Sequence, residues 1–484
     1  MSDWRNLSRY EKCLICLFLL TLPLVNPWVR GDGVGYYAYG RSMLIEGRLD
    51  FQKDWLKANP TFRVGRIDSQ GHILPSQYTR TGQLDNHFTV GPAILWFPFL
   101  LTAHFSVKTI DAFGAHISAD GFSWPYTTAM AFGTAVYGFL GLWISFQMAK
   151  KFFSGRWAFL ATLGIWFASS LPVYMYFNPS WSHAQSAFVV ALFLWYWERT
   201  RGGRAVLQWI LLGLFGGLMV DVYYPNGILL ILPLVESLRG YWKNFQTKLA
   251  EKSSVTRLLF ANVLFLAAFL VAVSPTLISR WMIYGSLFSS GYISVGEWNW
   301  KSPVLAGVLF SSDHGLFSWT PILALATIGL LIFLRRDPWL AANLFLVPIV
   351  FYYFISSYPD WDGISSFGNR FFVSLTIFFV LGLASFFEWL VHGWQVRRAM
   401  ILASSVTALL IAWNLGLIFQ WGTHLLPARG PISWRDAAYN QVVVVPAQVA
   451  STLKSYLTGR KQLMHRIEQE DEKQLKSGPL KENE

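Results

Sequence analysis

The chain has 484 residues, of which 54% are hydrophobic, 17% aromatic and only 14% charged, and its mean hydropathy is +0.37. Many apolar runs approach the roughly 20 residues that a bilayer-spanning helix needs, which predicts an all-α polytopic membrane protein and excludes the short alternating strands of a β-barrel. The net charge of +12 does not indicate nucleic-acid binding, because Lys and Arg concentrate in the inward loops of membrane proteins.

The chain begins with a predicted span at residues 12–29, preceded by Arg5 and Arg9. Basic residues before an apolar core also occur in signal peptides. No small-residue cleavage site follows here, so the segment is interpreted as a retained span with a cytoplasmic N-terminus. Residues 1–29 are therefore the first unit of the chain. Its two cysteines, Cys13 and Cys16, are expected to pack, because their spacing in a helix does not allow an ordinary disulfide.

The next stretch, RGDGVGYYAYGR at residues 30–41, is the first candidate functional segment. Asp32 lies at the predicted membrane–water boundary, where a carboxylate is costly to bury and indicates function. Closely spaced glycines allow tight turns, and Tyr36 and Tyr37 provide an aromatic wall with polar edges. The alternative interpretation is a flexible loop after the helix with interfacial tyrosines.

Lys and Arg positions orient the remaining apolar runs. If residues 88–105 and 123–149 both crossed the membrane, Lys150 and Lys151 would face outward, against the usual bias of basic residues. Residues 88–105 contain one glycine and two prolines, and are therefore interpreted as a helix at the outer surface. Residues 30–122 then form one long outer loop with juxtamembrane helices, and a loop of that length is usually functional.

The other predicted spans alternate without conflict and bring the total to about eleven. They lie near residues 157–177, 182–198, 205–221, 224–238, 258–284, 315–334, 338–356, 371–392 and 399–420. Residues 123–420 form this predicted transmembrane body. Residues 421–460 are predicted to lie outside the membrane, and the alternative is that 441–457 form one more, short span. The charged tail at 461–484 is expected to be a solvated helix or disordered.

Unusual polar residues gather at the predicted outer ends of the spans, whereas the inner ends carry mainly solvated Lys and Arg. This one-sided pattern favours an outward-facing cavity at membrane depth, since a transport path would scatter ionisable groups through mid-span positions. Such a cavity suits group transfer from a lipid phosphate. One Asp would accept a proton, and Arg and His side chains would neutralise the leaving phosphate.

The segment YPDWDGISSFGNRFF at residues 358–372 is the second candidate region. Arg370 opens a predicted span on the outer side, against the positive-inside pattern, which favours phosphate binding. The alternative is an ion pair with Asp360 or Asp362. We expect no cofactor and assign no metal site, although Asp32, Asp360 and Asp362 together offer hard oxygen ligands for Mg²⁺ or Mn²⁺.

In these features the chain resembles membrane glycosyltransferases of the GT-C fold, in particular the protein O-mannosyltransferase and aminoarabinose transferase family. The resemblance is strongest over residues 26–157 and covers the topology of most of the chain. The family's catalytic Asp falls on Asp32 in GDGVGYY, and its loop-helix motif falls on NHFTVGP at residues 86–92. One proline of that motif is missing here, and no second acid follows Asp32 directly, unlike the Asp-Glu pair of the mannosyltransferases.

The resemblance implies an inverting transfer of a sugar from a polyprenyl-phosphate donor, with Asp32 as the base. Cationic or hydrogen-bonding side chains are assigned to the donor phosphate: Arg370, His87, Arg41 and His183. Other polar residues are assigned to the sugar or the acceptor: Tyr36, Tyr37, Asp85, Asn86, Asp221, Tyr223, Asp313, His314 and Asp362. Structural roles are the alternatives, namely a helix cap for His87, core packing for His183 and a plain outer turn for the Asp313–His314 pair.

The expected partners are a polyprenyl-phosphate sugar, membrane lipid, and a lipid, glycan or protein acceptor, but no nucleic acid. The expected location is a bacterial inner membrane, with the active site on the periplasmic face. Two alternatives are a transporter or flippase of a lipid-linked sugar and a non-enzymatic subunit of a membrane complex. A transporter must also open at the inner face, and the sequence has neither an inverted repeat nor a mid-span series of charges.

Overall fold

The computed structural model describes residues 4–114, 116–246, 252–289 and 291–477, and these residues confirm the all-α prediction. They form helices, short 3₁₀ and π turns, and two isolated bridges, but no strand. Of the predicted units, 1–3 of the first and 478–484 of the tail lie outside the described residues. The helices are α1 (Arg9–Thr21), α2 (Asp32–Glu46), α3 (Gln52–Lys57), α4 (Pro60–Arg63), α5 (Gly91–Ala112), α6 (Trp124–Phe152), α7 (Gly155–Phe167), α8 (His183–Thr200), α9 (Val206–Val222), α10 (Ile231–Gln246), α11 (Lys252–Tyr284), α12 (Leu305–Phe310), α13 (Leu316–Trp319), α14 (Ile322–Phe333), α15 (Pro338–Ser357), α16 (Thr376–Trp389), α17 (Val396–Gly422), α18 (Trp434–Tyr439), α19 (Val445–Thr458) and α20 (Arg460–Ser477).

Six helices of the described chain are long and apolar enough to cross a membrane, fewer than the eleven spans predicted. They are Gly91–Ala112, Trp124–Phe152, Val255–Tyr284, Pro338–Ser357, Arg370–His392 and Val396–Gly422, and two shorter apolar helices are Val206–Val222 and Ile322–Phe333. Several predicted spans are interrupted. The first ends in a 3₁₀ turn that contains Pro23, and the segment 315–334 is divided between α13 and α14 near Pro321. Proline explains both breaks, because it removes a backbone donor.

Helix α5, predicted to lie at the outer surface, packs along the N-terminal half of α6. The Tyr137 hydroxyl donates to the Leu95 carbonyl at 3.0 Å, and the His104 imidazole is hydrogen-bonded to the Tyr126 hydroxyl at 2.7 Å. The length and composition of α5 would suffice for a crossing. These contacts lie in the half of α6 that begins at Trp124, far from Lys150 near the other end of α6. A crossing helix and a surface helix could both make them, so the surface position of α5 stays a prediction.

The main core is built on α16, whose apolar span is 89% buried inside the protein. Glycines bring its neighbours close. A Cβ atom on Gly329 of α14 would lie 1.8 Å from the Gly382 carbonyl oxygen of α16, so the two backbones touch. Gly213 and Gly217 of α9 meet the backbone of α11 in the same way. Small residues one turn apart are a common means of packing helices in membranes, where close contact substitutes for the hydrophobic effect.

A second core lies between α2, the short helices after it and α5, and includes the buried Tyr37, Tyr39, Trp55 and Trp96. Here the structure differs from the flexible-loop alternative, because Asp32 begins a helix of 15 residues instead. The glycines in this helix serve packing. A Cβ atom on Gly35 would lie 2.0 Å from the Phe88 ring, so residues 86–88 can approach α2 only because that side chain is absent.

We therefore expect the Gly35→Ala variant to be less stable, by about 1–3 kcal/mol, since the added methyl overpacks the contact with Phe88. The measurement is thermal unfolding of the purified protein in one detergent. The matched control is Gly203→Ala, because a Cβ atom at Gly203 meets nothing within 4 Å. Equal melting temperatures for the two variants would contradict the close packing of α2 on residues 86–88.

Candidate functional site

A cavity of about 1960 Å³ lies between the start of α2, residues 85–89, the start of α8, the end of α11 and residues 358–371. The end of α17 together with α19 and α20 forms another part of its wall. Most of the cavity lining is apolar, and a group of polar side chains lies where α2 begins. This combination of a large apolar space with a few polar side chains is typical of a ligand site.

An ion pair between Asp32 and Arg370 forms the polar centre of the cavity. Arg370 Nη1 donates to Asp32 Oδ2 at 2.7 Å, and the side chains are 12% and 34% exposed, respectively. Asp32 stands in the first turn of α2, whose N-terminal partial positive charge stabilises a carboxylate. The pair is therefore partly shielded from water and open to a ligand.

Trp181 fixes the position of Arg370. The guanidinium carbon lies 4.4 Å from the centroid of the Trp181 ring, and the indole nitrogen donates to the Arg30 carbonyl at 3.0 Å. Arg370 Nε is buried and has no hydrogen-bond partner. A cation held against an aromatic face with one unsatisfied donor is suited to binding an anion.

His87 lines the cavity as a neutral imidazole. Burial lowers its pKa to about 4, although the charges of Asp85 and Asp32 oppose this shift. The ring lies 4.2 Å from the Phe88 ring and 4.6 Å from the Tyr292 ring, measured between centroids. His87 therefore offers the cavity hydrogen bonds rather than a positive charge.

Arg280, at the C-terminal end of α11, is a cavity residue that the sequence reasoning missed. It is 1% exposed, and its guanidinium donates to the Asn86 and His87 carbonyls, both at 2.8 Å, and to that of Phe88. These bonds hold residues 86–88 beside the cavity. The sequence did contain a sign of its importance. Arg280 lies near the predicted outer end of a span and, like Arg370, departs from the positive-inside pattern.

Nine of the predicted site residues lie on the cavity wall. They are Asp32, Arg370, His87, His183, Tyr36, Tyr223, Asp85, Asp313 and Asp362. Besides the Asp32–Arg370 pair, Tyr36 and Asp85 have hydrogen-bond partners within the protein. The Tyr36 hydroxyl accepts a hydrogen bond from Ser182 at 3.1 Å, and Asp85 accepts one from the Tyr284 hydroxyl. The structure thus gathers into one space residues that are up to 338 positions apart in the chain.

Two of the predicted residues, Arg41 and Tyr37, are packed away from the cavity. The Arg41 guanidinium is buried against both carboxylate oxygens of Asp54 and also donates to Glu46 at 3.0 Å. The Tyr37 hydroxyl donates to the Gly121 carbonyl at 2.7 Å. Arg41 ties α2 to α3, and Tyr37 ties it to the turn before α6, so neither side chain is placed to bind a donor phosphate or a sugar.

Three further predicted residues, Asn86, Asp221 and His314, are buried and do not line the cavity. The Asn86 amide donates to the Gly35 carbonyl at 3.0 Å, so its role is to join residues 86–88 to α2. Asp221 is fully buried beside Gly91, where a Cβ atom would come within 2.3 Å of the Asp221 backbone. His314 lies directly behind Asp313, with 3.3 Å between Nδ1 and the carboxylate.

The alternative metal set of Asp32, Asp360 and Asp362 does not form a close group of ligand atoms among the described residues, and Asp32 pairs with Arg370 instead. Within the described residues, the group whose ligand atoms come close enough to share an ion is Asp313, His314 and Asp362. The sequence does not predict this group, because the spacing of residues 313–314 and 362 along the chain does not show that the two loops meet.

Helix α20 packs against residues 59–61 through hydrogen bonds. The sequence instead predicted a solvated helix or a disordered tail. Glu468, with a side chain 7% exposed, accepts hydrogen bonds from Asn59 Nδ2 at 2.6 Å, Thr61 N at 2.9 Å and Thr61 Oγ1 at 2.8 Å. The buried face also carries Leu463, Met464, Ile467 and Leu475. The i, i+4 spacing of these residues is that of an amphipathic helix and was readable in the sequence.

Asp471 of the same helix connects α20 to the cavity mouth. Its carboxylate accepts from Arg30 Nη2 at 2.6 Å and is hydrogen-bonded to His424 Nε2 at 2.8 Å. Burial acts to raise the pKa of Asp471, but the contacts with His424 and Arg30 outweigh it and hold the pKa below its usual range. The carboxylate is therefore ionised at neutral pH, and α20 closes the side of the cavity next to Arg30.

No family model and no curated protein sequence matches the chain. Its helix arrangement is similar to that of ArnT from Cupriavidus metallidurans bound to undecaprenyl phosphate, at 13% identity over 85% of this chain and 69% of that chain, with a TM-score of 0.45. It is also similar to the oligosaccharyltransferase AglB from Archaeoglobus fulgidus in complex with an inhibitory peptide and a dolichol-phosphate. That identity is 11%, over 92% of this chain and 55% of AglB, with a TM-score of 0.42. The chain therefore spans about half the length of AglB.

We expect the Glu468→Ala variant to undock α20 more often, because it leaves half-buried donors of Asn59 and Thr61 without their acceptor. Each such loss costs about 1–3 kcal/mol, and about 1.4 kcal/mol corresponds to a tenfold change in an equilibrium. Protease cleavage within α20 should accelerate roughly tenfold or more, since it follows the population of the open form. Glu470→Ala is the control, because its side chain is 47% exposed, and cleavage of both variants at the wild-type rate would contradict the docking.

Proposed function

We propose that this chain is a membrane glycosyltransferase that moves a sugar from a polyprenyl-phosphate donor to an acceptor at the predicted outer face of a bacterial inner membrane. The observation that supports it most is the Asp32–Arg370 pair at 2.7 Å, on the wall of a cavity of about 1960 Å³. A proton acceptor and an anion binder stand side by side there, and this transfer requires both.

Arg370 is the proposed ligand of the donor phosphate. It carries a permanent charge, its Nε has no hydrogen-bond partner, and Trp181 holds it in place. An arriving phosphate would compete with Asp32 for the guanidinium, which can grip an oxyanion with two parallel hydrogen bonds. Phosphate binding would therefore release Asp32 for proton transfer at the moment the donor is in place.

The apolar wall provides room for the lipid part of the donor. Residues of α17, α19 and α20 contribute apolar side chains to it, including Leu415, Ile418, Val449, Leu453 and Leu463. The volume is about twice the roughly 1,000 Å³ at the upper end of ordinary small-molecule pockets. A polyprenyl chain next to a phosphate site matches both the size and the distribution of polarity.

In the proposed reaction an acceptor hydroxyl or amine attacks the anomeric carbon of the sugar from the face opposite the phosphate. The new bond forms as the anomeric carbon–oxygen bond breaks, so the configuration inverts. The polyprenyl phosphate leaves with the bonding electron pair, and Arg370 and a hydrogen bond from His87 stabilise its negative charge. The acceptor proton passes to Asp32. Tyr36, Asp85 and Tyr223 surround the sugar and acceptor, and His183 lies on the wall as a further group for the phosphate.

We expect the Asp32→Asn variant to lose about 10²–10⁴-fold in transfer rate, because an amide cannot take the acceptor proton. The assay measures release of polyprenyl phosphate from a panel of radiolabelled polyprenyl-phosphate sugars by purified protein in native lipid. Asp68→Asn is the control, since this aspartate is exposed on the segment between α4 and α5 and its carboxylate contacts His72.

Transfer by Asp32→Asn at the wild-type rate would remove Asp32 as the base. If the wild type released no polyprenyl phosphate from any donor of the panel, a lipid-scrambling assay on the same preparation would follow. Scrambling by the wild type there would replace the transferase with the flippase alternative.

A further inference from the structure

A cluster of three potential metal ligands lies beside the proposed phosphate site. Asp313 and His314 follow α12, and Asp362 lies in the loop between α15 and Arg370. Their ligand atoms, one from each side chain, all lie within 4.8 Å of one another. Asp313 and Asp362 line the cavity, whereas His314 is fully buried behind them.

The buried state of His314 is the observation that points to a ligand. Neither Nδ1 nor Nε2 makes a hydrogen bond of good geometry, although Nδ1 lies 3.3 Å from Asp313 Oδ1, and the side chain has no exposure to water. A buried polar group without a partner costs free energy and is uncommon in folded proteins. The backbone of His314 is left-handed, with φ at +57°, and its ring lies 5.1 Å from the Trp319 ring between centroids. The imidazole is thus fixed in an unusual conformation that leaves its nitrogens unsatisfied.

The two carboxylates are held in place by their own loops. Asp362 Oδ1 accepts from the Ile364 backbone at 3.1 Å, in a turn where Gly363 and Ile364 both have positive φ. Asp313 Oδ1 lies 3.3 Å from His314 Nδ1, and the Asp313 backbone nitrogen donates to Ser311 Oγ at 2.9 Å. Two separate loops therefore present one nitrogen and two oxygen ligands to a common point.

We propose that Asp313, His314 and Asp362 bind a divalent transition-metal ion, Zn²⁺ or Mn²⁺. A mixed set of one imidazole and two carboxylates suits these ions, whereas Mg²⁺ and Ca²⁺ prefer oxygen ligands alone. Three protein ligands leave a coordination position open, as catalytic metal sites do.

That open position would face the cavity next to Arg370. A Cβ atom built on Gly363, the neighbour of Asp362, would lie 3.2 Å from Arg370 Nε. The metal and the guanidinium would then bind the same anion from two sides, and one phosphate oxygen of the departing polyprenyl phosphate would occupy the open position. This role of the ion rests on the proposed function, whereas the binding of the ion does not.

The test measures the metal without any donor or acceptor. Full-length protein in lipid nanodiscs is stripped with a chelator and dialysed against Zn²⁺ or Mn²⁺, and the bound metal is measured by mass spectrometry and, for Mn²⁺, by electron paramagnetic resonance. We expect one equivalent in the wild type. We expect a loss of affinity of at least tenfold in Asp362→Asn and in His314→Gln. The matched control is Asp360→Asn, which removes the same charge two residues away from a potential ligand and should keep one equivalent.

No bound equivalent in the wild type, or equal affinities in wild type and Asp362→Asn, would overturn the site. A loss in Asp360→Asn as large as in Asp362→Asn would also overturn it, because the effect would then be one of general charge. If His314→Gln does not fold, the comparison of the two aspartate variants decides alone. Sugar transfer is absent from this assay, so a negative metal result leaves the proposed transferase standing, and a failed transferase leaves the metal result standing.

Discussion

The ion pair between Asp32 and Arg370 is the interaction on which the rest of the site depends. Two partly buried charges are tolerated at this depth because each neutralises the other. Their meeting requires the first turn of α2 to lie against the start of the span Arg370–His392. Gly33 lets α2 approach the segment before α8, because a Cβ atom there would overlap the Ser180 side chain. Trp181, the next residue, then covers the guanidinium.

Around this pair, hydrogen bonds of charged side chains hold the walls of the apolar cavity in place. Arg280 holds residues 86–88 through their carbonyls, and Arg30 holds α20 through Asp471. Neither contact touches the Asp32–Arg370 pair, yet each fixes a wall of the cavity that contains it. Such buried charged hydrogen bonds are costly to leave half-made, so they define one arrangement of the walls. The cavity is thus shaped by polar contacts even though most of its surface is apolar.

The sequence was informative where a local pattern carried the signal. Composition predicted the helical membrane class, and Arg370 stood out because it broke the charge bias of its span. Contacts between distant segments were not readable, because spacing along the chain says nothing about which loops meet. Arg41 was therefore mistaken for a phosphate ligand although it pairs with Asp54 thirteen residues away. Helix α20 was read as solvated because its charges outnumber its apolar residues, yet two of those charges, Glu468 and Asp471, are the ones that dock it.

In the proposed mechanism, Arg370 binds the phosphate of a polyprenyl-phosphate substrate, and this binding releases Asp32 from its ion pair with Arg370. A cryo-electron microscopy structure of the protein in nanodiscs with polyprenyl phosphate tests this directly. We expect phosphate density within hydrogen-bonding distance of the Arg370 guanidinium and an Asp32 carboxylate that has moved away from that guanidinium. We also expect the lipid chain to lie along α17 and α19. An intact Asp32–Arg370 pair with the phosphate bound elsewhere would contradict it.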